Sequence, residues 1–181
     1  MEVNSMETAQ PFNRWKNKYV ILIGVLLLVI ASDQWTKQMI LEKFKLGESL
    51  PLFQGYFDLT YVQNKGAAFG LLAQADPAFR VPFFMTVPVI ALGAIASVFR
   101  KLKASDAQSA FALALIISGA IGNLVDRIRL GFVVDFLDFH WGWQYHFPAF
   151  NIADSAICIG VGWVIFDLSQ NPAPESHQKG T

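Results

Sequence analysis

The segment FNIADSAICIGVGWVIF (residues 150–166) has the composition of a membrane-spanning helix, yet it carries an acidic residue near its start. Asp154 is followed by a run in which almost every residue is apolar. A carboxylate below the lipid surface costs roughly 2.5–3.5 kcal/mol even on lenient insertion scales, so such a residue usually has a function. The segment therefore raises the questions of what Asp154 does and which residue is its partner.

The composition of the whole chain indicates a membrane protein. Of its 181 residues, 54% are hydrophobic and 15% are charged, and the mean hydropathy is +0.39. A soluble domain of this length is about one quarter charged. The formal net charge is zero, so no nucleic acid partner is expected. The single cysteine, Cys158, excludes an intramolecular disulfide and is predicted to be a small buried side chain.

Four apolar segments are long enough to cross a bilayer. A helix rises about 1.5 Å per residue and the hydrocarbon layer is about 30 Å thick, so each span needs about 20 residues. The predicted spans cover residues 19–41, 81–99, 110–128 and 151–168. A cleavable secretory signal is the alternative for the first segment, but no clean cleavage site precedes Asp33. We predict one integral-membrane domain (1–170) and a disordered cytoplasmic tail (171–181).

The basic residues predict the orientation in the membrane. Arg14, Lys16 and Lys18 crowd the start of the first span, and the link RKLK (100–103) joins the second span to the third. By the positive-inside rule both termini then face the cytoplasm. The two longer connections lie on the outer side.

Four acids from separate parts of the chain are predicted to meet at the outer ends of the helices. Asp33 and Asp154 lie roughly 20 Å from the inner ends of their helices, about one turn below the outer surface. Asp126 lies at roughly 30 Å, at the outer surface, and Asp135 belongs to the following connection. Helix capping by Asn151 and Asp154 is the simpler alternative, but it accounts for only one of the four acids.

The depth of these acids discriminates between classes of function. A transporter or proton pump normally carries its ionisable groups near the middle of the membrane. A site at the outer interface suits a substrate that is itself partly in lipid. A functional site for such a substrate is therefore favoured, and a four-helix transporter or ion-coupled carrier that uses the acids as a relay is the alternative.

Five short motifs point to a family. In chain order they are IASDQWTK (30–37), QNKGAAFG (63–70), GAIGNLVDR (119–127), VVDF (133–136) and FPAFNIADS (147–155). Together they resemble lipoprotein signal peptidase, also called signal peptidase II or prolipoprotein signal peptidase, an aspartic protease of the bacterial inner membrane. The blocks GN-x-x-DR and FN-x-ADS, with VVDF between them, are specific to that family.

The resemblance implies that Asp135 and Asp154 are the catalytic pair. One carboxylate would deprotonate a water, and a second carboxylic acid would polarise the carbonyl and protonate the leaving amine. Because two close acids do not both ionise easily, the pair would share a proton and titrate as a unit. No cofactor and no metal are implied, and no histidine is placed as a base for Ser155.

Other motif positions are predicted to support the site. Asn64, Asn123 and Arg127 are implied to line the substrate cleft, where their donors would hold an extended peptide. For Arg127, a surface ion pair with Asp126 is the alternative.

Position along the helices predicts further supporting contacts. Asp33 and Lys37 are one turn apart and would form an i,i+4 ion pair that supports the site without taking part in catalysis. Asn151 would cap the fourth span and position the acid that follows. Gly119 and Gly122 would permit close helix packing.

The outer connections are predicted to carry a small sheet and a short helix. The segment GYFDLTYVQN (55–64) alternates as a strand does, within a β-cradle region of about 44–66, and residues 66–79 would form an interfacial helix. His140 and His146 are predicted to be interfacial residues and not metal ligands. Five aromatic residues would anchor the last loop at the headgroups, namely Trp141, Trp143, Tyr145, Phe147 and Phe150.

The predicted fold is therefore mainly α, with four transmembrane helices, a small periplasmic β-cradle and a short interfacial helix. The resemblance implies an endopeptidase that removes the signal peptide of a bacterial prolipoprotein just before its diacylglyceryl-modified cysteine. The implied partners are these lipid-modified substrates, membrane lipid and the inhibitor globomycin, a cyclic peptide. The site would face the periplasm, and a peptidase for unmodified signal peptides is a lesser alternative.

Overall fold

Four long helices and a four-stranded sheet make up the structure, a computed structural model that describes residues 14–66, 72, 74–103, 106–142 and 145–170. The helices are α1 (Arg14–Lys43), α2 (Pro77–Lys101), α3 (Ala107–Leu130) and α4 (Ile152–Gln170). The strands are β1 (Ser49–Phe53), β2 (Phe57–Asn64), β3 (Val133–Trp141) and β4 (Tyr145–His146). All four helices are long and apolar enough to cross a membrane. The predicted fold of four spans with a small sheet is confirmed.

The third helix is the centre of the bundle and contacts the other three. Small residues on α3 allow this close approach, and Ala110, Ala112 and Ala114 are fully buried. A Cβ added to Gly119 would collide with the carbonyl oxygen of Ala153 in α4. Close packing of α3 against the start of α4 is therefore possible only because position 119 has no side chain.

The two ends of α2 are held in different ways. Asp76 caps its first turn by accepting a hydrogen bond from the backbone N–H of Ala78. At the other end, the buried ammonium of Lys18 in α1 donates to the carbonyl oxygens of Phe99, Arg100 and Leu102, at 3.3, 3.0 and 3.0 Å. The last carbonyls of a helix lack partners within the helix, so Lys18 both satisfies them and ties α1 to α2.

The sheet is antiparallel in the order β1-β2-β3-β4. The sequence predicted the strand that became β2 but placed Asp135 only in the following connection and predicted no strand for it. Asp135 lies instead in β3, opposite Val62 of β2. Four successive residues from Val133 to Phe136 are buried, so this strand lacks the alternation by which a half-buried strand is recognised. It begins two residues after Gly131, whose positive φ of 81° ends α3.

Three predictions concern residues outside the described part of the chain. They are residues 67–71 and 73 of the interfacial helix (66–79), the anchoring role of Trp143 and the disorder of the tail (171–181). In the described part of that segment, residues 77–79 belong to the first turn of α2 and Asp76 is the cap of α2. The described helices extend a few residues beyond the predicted limits at most of their ends.

Candidate active site

The start of α4 is a reciprocal helix cap. The side-chain oxygen of Asn151 accepts from the backbone N–H of Asp154 at 2.9 Å, and Asp154 Oδ2 accepts from the backbone N–H of Asn151 at 3.3 Å. This is the geometry of a capping box. Capping therefore does operate at Asp154, but it uses only one of the two carboxylate oxygens. The other oxygen, Oδ1, accepts from the side-chain amide of Asn123 on α3 at 2.7 Å.

Asp135 is a buried carboxyl group with an amide donor on each oxygen. Its Oδ1 accepts from Asn151 at 2.7 Å, its Oδ2 accepts from Asn64 at 3.0 Å, and the residue is 1% exposed. Burial and the negative charge of Asp154 raise the pKa of Asp135 to about 7, against the opposing effect of both amides and of Lys37. A carboxyl group with such a pKa exchanges its proton readily near neutral pH.

Two asparagines connect the two acids. Asn123 donates to Asp154, Asn151 donates to Asp135, and the amide of Asn151 also donates to the side-chain oxygen of Asn123 at 3.2 Å. One hydrogen-bonded network thus joins β3, α3 and the start of α4. The structure brings Asp135 and Asp154 into this single network.

A cluster of three charged residues contacts the amide of Asn123 from the side of α1. Lys37 on α1 lies 2.9 Å from Asp33 Oδ2 and 3.0 Å from Asp126 Oδ2, and all three side chains are buried. The structure contains the i,i+4 contact of Asp33 with Lys37. Asp126 is also buried within the protein, which its predicted depth in the membrane does not indicate. The start of β3 covers it, and the backbone N–H of Val134 donates to its Oδ2.

The guanidinium of Arg127 contacts groups other than Asp126, which the sequence offered as its partner in a surface ion pair. Its guanidinium donates to the carbonyl oxygen of Gly66 at 3.0 Å and lies over the ring of Phe84, 5.4 Å from the centroid. Asp126, by contrast, forms its ion pair with Lys37. Arg127 therefore joins α3 to the end of β2 and to α2 at the border of the site.

A cavity of about 820 Å³ opens over both acids, and its lining is mainly apolar. Asn64, Asn123 and Arg127 contribute polar groups to its wall. Cys158, one turn after Asp154 on α4, is exposed and lines the same cavity. The prediction of a buried thiol is thus wrong, because an apolar run does not reveal which face of its helix borders a cavity.

The sequence analysis did not predict two histidine–aspartate contacts on the sheet. His140 Nε2 lies 3.1 Å from Asp58 Oδ1, His146 Nδ1 lies 3.1 Å from Asp138 Oδ2, and the two rings stack at 4.8 Å between centroids. His140 is buried, so it is not an interfacial side chain as predicted. Its partner Asp58 is remote in sequence, and only the pairing of β2 with β3 brings the two together.

Comparisons with known proteins agree with one another. The family model for signal peptidase (SPase) II matches residues 25–170. The lipoprotein signal peptidase of Geobacter sulfurreducens is 51% identical over 153 residues, which are 84% of this chain and 94% of that protein. The corresponding protein of Syntrophotalea carbinolica is 49% identical over 148 residues, which are 82% of this chain and 90% of that protein.

Solved structures show the same fold. A bacterial membrane enzyme determined by the in meso method at 2.3 Å resolution has a TM-score of 0.72 and 30% sequence identity, and the match covers 92% of this chain and 95% of that one. A second, at 1.9 Å resolution, has a TM-score of 0.71 and 31% identity over 86% of this chain and 94% of that one. The family model, the relatives and the fold lead to one conclusion: this chain belongs to the signal peptidase II family.

Proposed function

We propose that Asp135 and Asp154 are the catalytic pair with which this chain removes the signal peptide of bacterial prolipoproteins, just before the diacylglyceryl-modified cysteine. One observation carries the proposal. Two carboxyl groups from different elements, β3 and α4, are joined through Asn123 and Asn151 and line the same apolar cavity. The transporter alternative has no support, because the family is a family of peptidases.

The reaction needs one ionised and one protonated carboxyl group. The ionised aspartate takes a proton from a water molecule, whose oxygen attacks the carbonyl carbon of the scissile bond. The protonated aspartate donates its proton to the carbonyl oxygen. The tetrahedral intermediate then collapses and the C–N bond breaks. The proton taken from water passes to the leaving amine, and a hydroxyl of the intermediate returns a proton to the other aspartate as the C=O bond re-forms. The raised pKa of Asp135, about 7, suits a pair that retains one proton at neutral pH.

The substrate would lie in the apolar cavity beside the pair. Its walls carry the amides of Asn64 and Asn123 and the guanidinium of Arg127, which would position an extended peptide backbone. Apolar lining suits the small apolar residues and the lipid of the substrate, and globomycin would occupy the same space. Membrane lipid would hold the acyl chains of the substrate and so set the depth of the scissile bond.

The distribution of charge supports a definite orientation in the bacterial inner membrane. Lys18, Arg100 and Lys101 lie together at one end of the bundle, and the two candidate catalytic acids lie at the other. By the positive-inside rule the basic end and both termini face the cytoplasm, and the active site faces the periplasm.

The decisive test of the activity uses two substrates of the same sequence. The purified protein in detergent is incubated with a prolipoprotein carrying the diacylglyceryl group and with its unmodified form. We expect cleavage of the first and far slower cleavage of the second. Asp135→Asn should be inactive, and Asp167→Asn, a matched change at the opposite end of α4, should keep the activity of the parent. Equal rates on both substrates would contradict the interfacial part of the proposal.

The orientation is tested by thiol labelling in intact cells. Because Cys158 is exposed, Cys158→Ser is the background for single cysteines at exposed positions. Cysteines at Leu46 and Trp141 should react with a membrane-impermeant reagent, and cysteines at Lys101 and Lys103 should not. The opposite pattern would place the site at the cytoplasmic face.

A further inference from the structure

We propose that Lys37 is the positioning residue of the active site: its ammonium holds both catalytic aspartates in place through Asn123, Asp33 and Asp126. The inference rests on the proposed catalytic role of Asp135 and Asp154. It assigns to a buried ion cluster a function in catalysis beyond that of holding α1 to α3.

The ammonium of Lys37 has three N–H groups and three acceptors. They are Asp33 Oδ2 at 2.9 Å, Asp126 Oδ2 at 3.0 Å and Asn123 Oδ1 at 3.0 Å. The lysine is 2% exposed and is not among the residues that line the cavity. Lys37 therefore does not contact the substrate space; it acts on the site through these three partners and through the electrostatic effect of its charge on Asp135.

The contact with Asn123 fixes the orientation of its amide. Lys37 can only donate and an ionised Asp154 can only accept, so the amide must turn its oxygen to the lysine and its nitrogen to the aspartate. The opposite orientation would place donors against the ammonium and an acceptor against the carboxylate. The same oxygen of Asn123 accepts from Asn151, whose amide donates to Asp135. One ammonium therefore orients the donors of both catalytic acids.

The two carboxylates that bind Lys37 fix the backbone beside the catalytic pair. Asp33 Oδ1 accepts from the backbone N–H of Ala153 at 3.0 Å, one residue before Asp154. Asp126 Oδ2 accepts from the backbone N–H of Val134 at 3.1 Å, one residue before Asp135. Each of the two carboxylate partners of the lysine thus holds the residue that precedes a catalytic aspartate.

Neighbouring groups pack closely against Asp33 and Asp126. A Cβ added to Gly122 would lie 2.8 Å from Asp33 Oδ2 and 3.2 Å from the Cβ of Ala153. Gln34 also donates to Asp126 Oδ1 at 2.9 Å. Because Lys37 does not line the cavity, its loss should change the orientation of the acids and amides that it contacts and should leave the cavity wall in place.

The test compares Lys37→Met with Lys18→Met in cleavage of a diacylglyceryl-modified prolipoprotein. Both lysines are buried on α1, but Lys18 contacts the far end of α2. Lys37→Met should lower kcat by about 10- to 100-fold, as loss of precise orientation does, with KM within about twofold of the parent. Because the charge of Lys37 lowers the pKa of Asp135, its loss should move the alkaline limb of the pH–rate profile to higher pH. Lys18→Met should lower the melting temperature and leave kcat and the profile unchanged.

A second variant decides the question if Lys37→Met does not fold. In the double variant Asp33→Asn/Lys37→Met the cluster has the same formal charge as in the parent, and the asparagine can still accept from Ala153. The double variant is compared with Asp33→Asn alone. Relative to Asp33→Asn, we expect it to show the same fall in kcat and the same shift of the pH–rate profile as Lys37→Met shows relative to the parent. If a folded Lys37 variant had the kcat and the pH–rate profile of its reference, the inference about Lys37 would be wrong and the proposed function would be unaffected. A parent that fails to cleave the lipid-modified substrate would instead contradict the proposed function.

Discussion

The helix α1 buries a lysine near each of its ends, and the two lysines have different kinds of partner. Lys18 is 1% exposed and donates to three backbone carbonyl oxygens at the end of α2. Any sequence that ends a helix at this place would present the same carbonyls, since they belong to the backbone. The contact of Lys18 holds one helix against another and has no relation to the site.

Lys37 differs because the partners of its ammonium in the described part of the chain are side chains, two carboxylates and one amide. Each of these side chains in turn contacts one of the proposed catalytic acids or the backbone beside one. At the end of the bundle that carries the candidate site, stability and catalysis should therefore depend on the same residues. At the other end, a substitution should change stability alone.

The largest effect should come from the catalytic pair. Asp135→Asn and Asp154→Asn keep the size of the side chain but cannot exchange a proton, so each should lower turnover by about 10²–10⁴-fold. Because the pair acts as a unit, the double variant should be little worse than either single variant. Turnover and melting temperature are measured for all three in detergent, and activity near that of the parent in either single variant would exclude an aspartic protease mechanism.

A smaller effect should follow from glycine substitutions at the two ends of the interface between α3 and α4. Gly119→Ala would drive a Cβ into the carbonyl oxygen of Ala153, next to the catalytic acid. Gly160→Ala would place a Cβ 2.6 Å from the carbonyl oxygen of Ala112, far from the site. Such overpacking costs about 1–3 kcal/mol, so both melting temperatures should fall.

Only Gly119→Ala should also lower kcat, because only that substitution displaces the start of α4. A Cβ on Gly24 meets nothing within 4 Å, so Gly24→Ala serves as the neutral control for both measurements. If Gly160→Ala lowered kcat as much as Gly119→Ala at equal stability, the two ends would not be functionally separate.

Asp126→Asn should have a more moderate effect. It removes one of the two carboxylates that neutralise Lys37 but retains an oxygen that can accept from Val134. Loss of a buried hydrogen bond to a charged group costs about 1.5–3 kcal/mol, so the melting temperature should fall. Turnover should remain well above that of Asp135→Asn. A stability equal to that of the parent would show that Lys37 does not depend on this partner.

The sequence predicted the helices well because length and hydropathy are local properties. The start of α4 was predicted closely, since Asn151 and Asp154 carry a capping signal within four residues. The burial of Asp126 was not predicted, because depth along a helix does not show what covers its end. The strand that contains Asp135 was not predicted for a related reason. The start of this strand is buried on both faces, so its sequence does not alternate between apolar and polar residues.

The motifs identified the two acids of the candidate site. They did not predict the contacts that connect these acids to each other and to Lys37. Asp135 and Asp154 stand in recognisable blocks, but the amide bridge between them depends on how α3, β3 and α4 pack. Lys37 was assigned only its neighbour on the same helix, Asp33. Its contacts with Asn123 and Asp126 cross from α1 to α3, and no local pattern encodes such a contact.

The last expected effect concerns stability alone and depends on pH, and it arises at Asp135. Its pKa of about 7 in the folded protein lies above its usual value of 3.8 because of burial and the charge of Asp154. Between pH 4 and 7 the folded state thus retains a proton that the unfolded state has released, so the free energy of unfolding falls as the pH rises. Asp135→Asn has no such proton. Its melting temperature should equal that of the parent near pH 4 and exceed it by several degrees above pH 7. Parallel curves for Asp135→Asn and the parent from pH 4 to 8 would mean that Asp135 is not perturbed in the folded protein.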